Sequence, residues 1–281
     1  MGRSRKAYAS KGDDNTLSRH VKIALDYSPG LFPHMKAQHS PTPAMKPYLE
    51  AGRSIFYRKG IKQLDELKNL LVSGHSNIKI GRDVRQGLFK GYWIYTLSFE
   101  ERATCPRTCH HWADCYGNGM PYAKRIDHRD TAKLLSRLEG EIASLVSARD
   151  RNRVPRPGVL IRLHALGDFF SPSYVRFWSF MLMLYPRLAC YGYTAHAPDS
   201  PIGKEIARLK KIYGRRFAIR WSNGTGDKDT TVPVLPGATK VPGAFICPEQ
   251  LNLTNKKGQP LLCATCGLCW TTDKPVAFMA H

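Results

Sequence analysis

Negative charge is what this chain has least of. Asp and Glu total 22 against 43 Lys and Arg in 281 residues, a formal net charge of +21. That balance points to a polyanionic partner, most often nucleic acid, attracted through its phosphates and the counterions they release. Long apolar runs are also missing: the strongest, residues 177–185, is about half of the ~20 residues a membrane-spanning helix needs, so no membrane partner is expected. No basic start followed by an apolar stretch opens the chain, so a cytoplasmic setting is expected rather than export. There is no internal repeat and no low-complexity tract. The remaining composition, 42% hydrophobic and 23% charged, is that of an ordinary globular protein.

Cysteine, by contrast, is present in a pattern. Seven of the eight cysteines fall into two tight groups. The first is Cys105, Cys109 and Cys115; the second is Cys247 with Cys263, Cys266 and Cys269, the last three spaced C-x2-C-x2-C. In a reducing compartment such grouping favours metal ligation over disulfides. Four thiolates saturate a tetrahedral centre, whereas three leave a position open to water, substrate or cofactor. The second group resembles a ferredoxin-like run completed by a distant cysteine, and iron–sulfur or zinc are both compatible with it. The first also suits zinc, with His110 or His111 as a fourth ligand. Cys190 stands alone in an apolar run and reads as core.

Three regions are expected. Residues 1–60 are polar, basic and proline-rich towards their end, and read as an extended N-terminal arm. Residues 61–246 carry a strand–helix alternation, and 247–281 form a cysteine-rich metal-binding segment with a last strand at 275–279. Within the middle region, 61–72 predicts a short amphipathic helix on Leu64, Leu67 and Leu71. Strands are predicted at 93–99, 159–166, 189–195, 217–222 and 244–247, with a long helix over 122–150. Ser171-Pro172 and Ser200-Pro201 each begin a helix, Ser as N-cap and Pro in the first turn. Such alternation predicts an α/β fold with parallel strands. About six strands suit a partial (βα)6-like open barrel, with chemistry at the C-terminal strand ends.

The first cysteine loop follows the first strand of this alternation. The other strand ends contribute His164, Gly167, Asp168, Tyr193, Thr194, His196, Ser222 and Asn223. His164 is either lumen-facing or a core histidine. A three-cysteine loop placed after the first strand of a partial βα barrel resembles the radical S-adenosylmethionine superfamily. The segments Arg162-Leu-His-Ala-Leu-Gly-Asp-Phe-Phe-Ser171 and Tyr191-Gly-Tyr-Thr194, with the pair Cys115-Tyr116, look more specifically like the phage "gene product eighty-eight" family.

The superfamily resemblance implies a 4Fe-4S cluster on Cys105, Cys109 and Cys115, with S-adenosylmethionine on its fourth iron. Gly167-Asp168 are placed like the superfamily's Gly-Gly-Glu segment and would meet the cofactor's ammonium group; Ser222 and Asn223 would meet a ribose. The spacing here is C-x3-C-x5-C, against the superfamily's usual C-x3-C-x2-C. A second cluster, or zinc, would sit on Cys247, Cys263, Cys266 and Cys269 and hold the C-terminal segment. The function expected is therefore an iron–sulfur, radical S-adenosylmethionine-like protein that acts on or near nucleic acid. The alternative is a non-catalytic nucleic-acid-binding protein with structural zinc or iron–sulfur sites.

Overall fold

A computed structural model describes residues 42–77, 79–149, 152–222, 229–234, 238, 240–255 and 258–279. Its centre is a five-stranded sheet in the order β2 (Val72–Ser73), β3 (Trp93–Thr96), β5 (Val159–Leu163), β6 (Leu188–Thr194) and β7 (Phe217–Trp221). Strand β2 is antiparallel to β3; β3, β5, β6 and β7 run parallel. Past the end of β3, Phe99 bridges Ile126 in β4 (Arg125–Ile126), which pairs in parallel with β1 (Ile61–Lys62). At the other edge, Trp221 bridges Thr230, next to a second parallel sheet of β8 (Thr231–Val234), β10 (Val276–Met279) and β9 (Phe245–Ile246). The fold is therefore α/β with parallel strands, as the alternation predicts. The partial open barrel is not detected: the described strands lie in separate sheets of two, three and five strands.

Each parallel crossover is a helix whose start the local sequence dictates. Two short helical segments, α1 (Lys46–Glu50) and α2 (Tyr57–Gly60), come first, then α3 (Thr131–Ser147). In α3 the side chain of Asp130 accepts from the Lys133 amide at 3.2 Å. For α4 (Pro172–Leu184), Ser171 accepts from the Tyr174 amide at 3.1 Å; for α5 (Pro201–Tyr213), Ser200 accepts from the Gly203 amide at 3.0 Å. The long helix begins later than 122 because 125–126 are drawn into the β4 ladder.

These helices cover one face of the sheet. Leu134, Leu138 and Ile142 of α3, and Val175, Trp178 and Met181 of α4, pack with Ile161, Leu163, Cys190 and Phe217 in one buried cluster. Cys190 belongs to this core, as its apolar context predicts. The opposite face carries Ile94, Leu160, Ala189 and Tyr191, covered by Ile80, Val84 and Phe89 and by Ala264 and Trp270 of the C-terminal cysteine segment. Two short helices, α6 (Cys263–Cys266) and α7 (Leu268–Thr271), bring that segment across the sheet.

The amphipathic helix expected over 61–72 does not form. Its residues are strand β1, a 3-10 turn at Leu64–Glu66 and strand β2, yet Leu64, Leu70 and Leu71 are buried. The physical reason is a competing set of partners. Strand β4 takes Ile61 and Lys62, and the Glu141 carboxylate accepts the amides of Leu70 and Leu71 at 2.6 and 2.9 Å. Of the expected N-terminal arm, residues 1–41 lie outside the described residues. Its end docks on the molecule: Arg53 donates twice to Glu100 at 2.7 and 2.8 Å, and the Ser54 hydroxyl donates to Glu101 at 2.7 Å.

Candidate metal-binding site

The first cysteine loop leaves the sheet through Glu100-Glu101-Arg102, three charged residues that are only 3%, 1% and 3% exposed. Burying such groups is costly unless they are paired or hydrogen-bonded: Glu100 pairs with Arg53, Glu101 pairs with Arg125, and Arg102 is held by hydrogen bonds. Glu101 accepts from Arg125 at 2.7 Å, and Arg125 spends its other donors on the carbonyls of Gly117, Met120 and Ala123. Arg102 donates to the Trp112 carbonyl at 2.7 Å and to Asn118 Oδ1 at 2.7 Å. Two guanidiniums thus grip the backbone from 112 to 123 and fix the loop around Cys115. From outside, Trp112 Nε1 donates to the Leu49 carbonyl at 3.2 Å and stacks with Arg107.

Asp168 sits beside this loop, which brings together the first cysteines and two of the expected cofactor residues, Gly167 and Asp168. Gly167 has φ +78°, and a Cβ there would lie 2.6 Å from Thr104 Oγ1, so only glycine fits. The same Thr104 hydroxyl accepts the Asp168 amide at 3.0 Å. The Asp168 carboxylate accepts the amides of Phe169 and Ala195, both at 2.7 Å, tying the end of β5 to the end of β6. Burial raises its pKa against the pull of His196. Ser222 extends the strand ladder, its amide donating to Thr194 at 2.8 Å. Asn223 lies outside the described residues.

His164 resolves to the core. Its ring packs against Phe99, Phe169 and Tyr174, and Nε2 bonds the Tyr174 hydroxyl at 2.9 Å. Burial, then the neighbouring His196, lower its pKa to about 3. His111 faces Asp114 at 3.6 Å.

The second group lies against the sheet face opposite the helices. Cys247 follows β9, its amide donating to the Ala277 carbonyl at 2.9 Å. The amides of Cys263 and Ala264 donate to Lys79 and Ile80 at 2.9 and 2.8 Å. Gly267, in the left-handed region at φ +74°, turns the chain between α6 and α7. Arg220, 1% exposed, then gathers the carbonyls of Cys269 at 3.1 Å, Thr272 at 2.5 Å and Lys274 at 3.0 Å. The Tyr193 hydroxyl and Cys269 Sγ are 2.8 Å apart. Each cysteine loop is thus held by buried arginine on its carbonyls. Sequence reading missed these residues, although Glu100-Glu101-Arg102, charged directly after a strand, was the visible signal.

The thiols within each group feel one another. Burial, then Asp168 and Cys109, push Cys105 well up; burial, with Cys115 contributing, takes Cys109 to about 12. Burial, then Cys269, takes Cys263 to about 12, and burial with Cys269 and Cys247 takes Cys266 to about 11. Among the described residues, no three His, Cys, Asp or Glu side chains stand in a metal-holding arrangement. The donor chemistry nonetheless fits a thiolate-bound group. Buried polar atoms without a hydrogen-bond partner include Arg162 Nε and Trp270 Nε1 near the second group and Arg102 Nη1 near the first, and the buried Tyr191 hydroxyl faces Cys263. No helix among the described residues is long and apolar enough to cross a membrane.

Comparison with known proteins sets this geometry in a family. The chain is 30% identical over 173 residues to the Gene 88 protein of Mycobacterium phage L5, and 31% identical over 174 residues to that of Mycobacterium phage D29. In both cases the match covers 54% of this chain and 65% of the relative's length, so just under two-thirds of each relative is spanned. No solved structure matches. The model of the Gene product 88 family matches residues 69–272, which run from before β2 through the second cysteine group. The chain belongs to the Gene product 88 family.

Proposed function

We propose that this chain is an iron–sulfur protein with a radical S-adenosylmethionine-like site on its parallel βα sheet, acting on or near nucleic acid. The observation that carries the metal reading is the set of buried, partnerless donors beside grouped thiols. Thiolates and sulfides accept N–H and O–H bonds, and such bonds are the usual outer shell of a sulfur-ligated metal. Cys247, Cys263, Cys266 and Cys269 would hold one saturated 4Fe-4S cluster. Cys105, Cys109 and Cys115 would hold a second with one ligand position open. When bound, such a cluster supplies the electron that cleaves S-adenosylmethionine.

The protein's own part is positional. Asp168, by taking the Phe169 and Ala195 amides, holds the 166–169 turn beside Cys105, and the carbonyls of Gly167 and Asp168 would be the acceptors for an ammonium group, since those of Leu166 and Phe169 accept from Phe99 and His196. Ser222 and Asn223 follow β7, as a ribose-binding pair at a strand end would. Arg102 and Arg125 fix the loop so that its thiols meet a metal without reordering the backbone. The nucleic-acid part rests on the charge of +21.

One observation favours a second reading, in which both centres are structural and hold zinc: buried arginine fixes both loops as rigid supports. Anaerobic reconstitution of the full chain with iron and sulfide separates the two. Two clusters per chain and production of 5′-deoxyadenosine from S-adenosylmethionine are expected. A chain purified with stoichiometric zinc, which takes up no iron and leaves the cofactor intact, would sink the first reading.

A further inference from the structure

We propose that Arg162 is a positioning residue for the second cysteine group, a fixed cation that holds negative charge on a sulfur-ligated centre at Cys247, Cys263, Cys266 and Cys269. This inference rests on the metal reading above and adds to it the residue that tunes the centre. Strand register places Arg162 between Thr96 of β3 and Tyr191 of β6. Leu160, two residues earlier, and Tyr191 both pack in the cluster opposite the helices, where Ala264 and Trp270 also lie. Arg162 therefore shares the face on which the second group rests. Its guanidinium carbon is 5.9 Å from the ring of Tyr193, whose hydroxyl is 2.8 Å from Cys269 Sγ.

The buried arginines nearby are spent on protein acceptors: Arg125 on Glu101 and three carbonyls, Arg220 on the carbonyls of the cysteine segment. Arg162 differs, because its Nε is sealed from solvent with no acceptor. Trp270 Nε1, over Gly267 between Cys266 and Leu268, shares that condition, and the buried Tyr191 hydroxyl faces Cys263. Two unsatisfied donors around one set of thiols, with the Tyr191 hydroxyl beside them, cost free energy that anionic sulfur would relieve. Metal binding makes the thiols anions, since ligation requires deprotonation. A guanidinium stays charged throughout the working pH range, so Arg162 is a fixed cation on this face. Tyr116 neighbours the same cation and follows Cys115 directly, so Arg162 also faces the first loop.

The test uses the full chain with Cys105, Cys109 and Cys115 replaced by Ala, so that only the second group can load. In this background Arg162→Met, Arg162→Lys and Tyr191→Phe are reconstituted anaerobically with iron and sulfide. Iron and sulfide per chain and the midpoint potential are read, with thermal melts reporting the fold. Arg162→Met is expected to lower cluster occupancy and move the potential to more negative values, because a nearby cation favours the reduced, more anionic state. Arg162→Lys should restore both. Tyr191→Phe, which removes one hydroxyl, should shift the potential in the same direction with the fold intact, and so decides the matter if Arg162→Met does not fold. Occupancy and potential unchanged in Arg162→Met, or in Tyr191→Phe where that variant decides, would overturn the inference alone. A folded background chain that takes up no iron would overturn it together with the metal reading.

Discussion

At the scale of single residues, the first cysteine loop stands on charges that face inward. Glu101 and Arg125 are 1% and 0% exposed at their side chains, and neither has water to fall back on. Removing one partner leaves the other buried and uncompensated, a loss of about 3–5 kcal/mol. Glu101→Gln or Arg125→Met should lower the urea midpoint accordingly, while an exposed pair such as Lys133–Asp65 should cost well under about 1 kcal/mol when broken. A fall of less than about 1 kcal/mol for Arg125→Met would contradict the scaffold role. His164 makes a separate prediction. Burial lowers its pKa from 6.5 to about 3, so between those values the unfolded chain binds a proton that the folded chain refuses. Stability from this group is complete above the unfolded pKa and declines as pH falls from about 6.5 towards 3. His164→Gln should flatten that part of a stability-against-pH profile.

At the scale of elements, the three long helices are set by their first turns. Ser171→Ala and Ser200→Ala each remove an acceptor for an N-terminal amide and should cost about 1 kcal/mol in denaturant melts. Helices α4 and α5 were legible because Ser-Pro followed by an apolar stripe is local information. The strands β5, β6 and β7 were legible for a similar reason, as buried β-branched and aromatic runs. Residues 61–72 were not. Leucines at helical spacing also fit an extended chain lying on α3, and the choice was made by Glu141 and β4, far away in sequence. The cysteine segment shows the same division. Its ligand spacing is visible in the sequence, but the buried arginine that grips its carbonyls comes from β7. Arg220→Met should release residues 268–274 and raise their amide exchange, with little effect on α3 to α5.

At the scale of the whole molecule, the two cysteine groups meet one sheet. Metal that binds the folded chain and not the unfolded one stabilises it by mass action. Anaerobic iron and sulfide should therefore raise the thermal midpoint, and a strong chelator should lower it again. Replacing Cys263 and Cys266 by Ala should abolish most of that rise. The net charge of +21 makes a second prediction at this scale. Binding to single-stranded or duplex nucleic acid should weaken linearly in log affinity against log salt, the slope counting the phosphates neutralised. A flat salt response would remove nucleic acid as the partner implied by charge.

The amino-acid sequence by itself determined the α/β rhythm, the starts of α4 and α5, the two cysteine groups and the excess of positive charge. Each is encoded by neighbours a few residues apart, where propensity, capping and ligand spacing act. The tertiary structure alone decided that the strands divide into separate sheets and that 61–72 is not a helix. It also laid the second cysteine group on the face opposite the helices, with Arg162, Tyr191 and Tyr193 around it. Those outcomes turn on which distant groups pair and which buried charges find partners. Pairings of that kind depend on desolvation and contact in three dimensions, and spacing along the chain carries no trace of them.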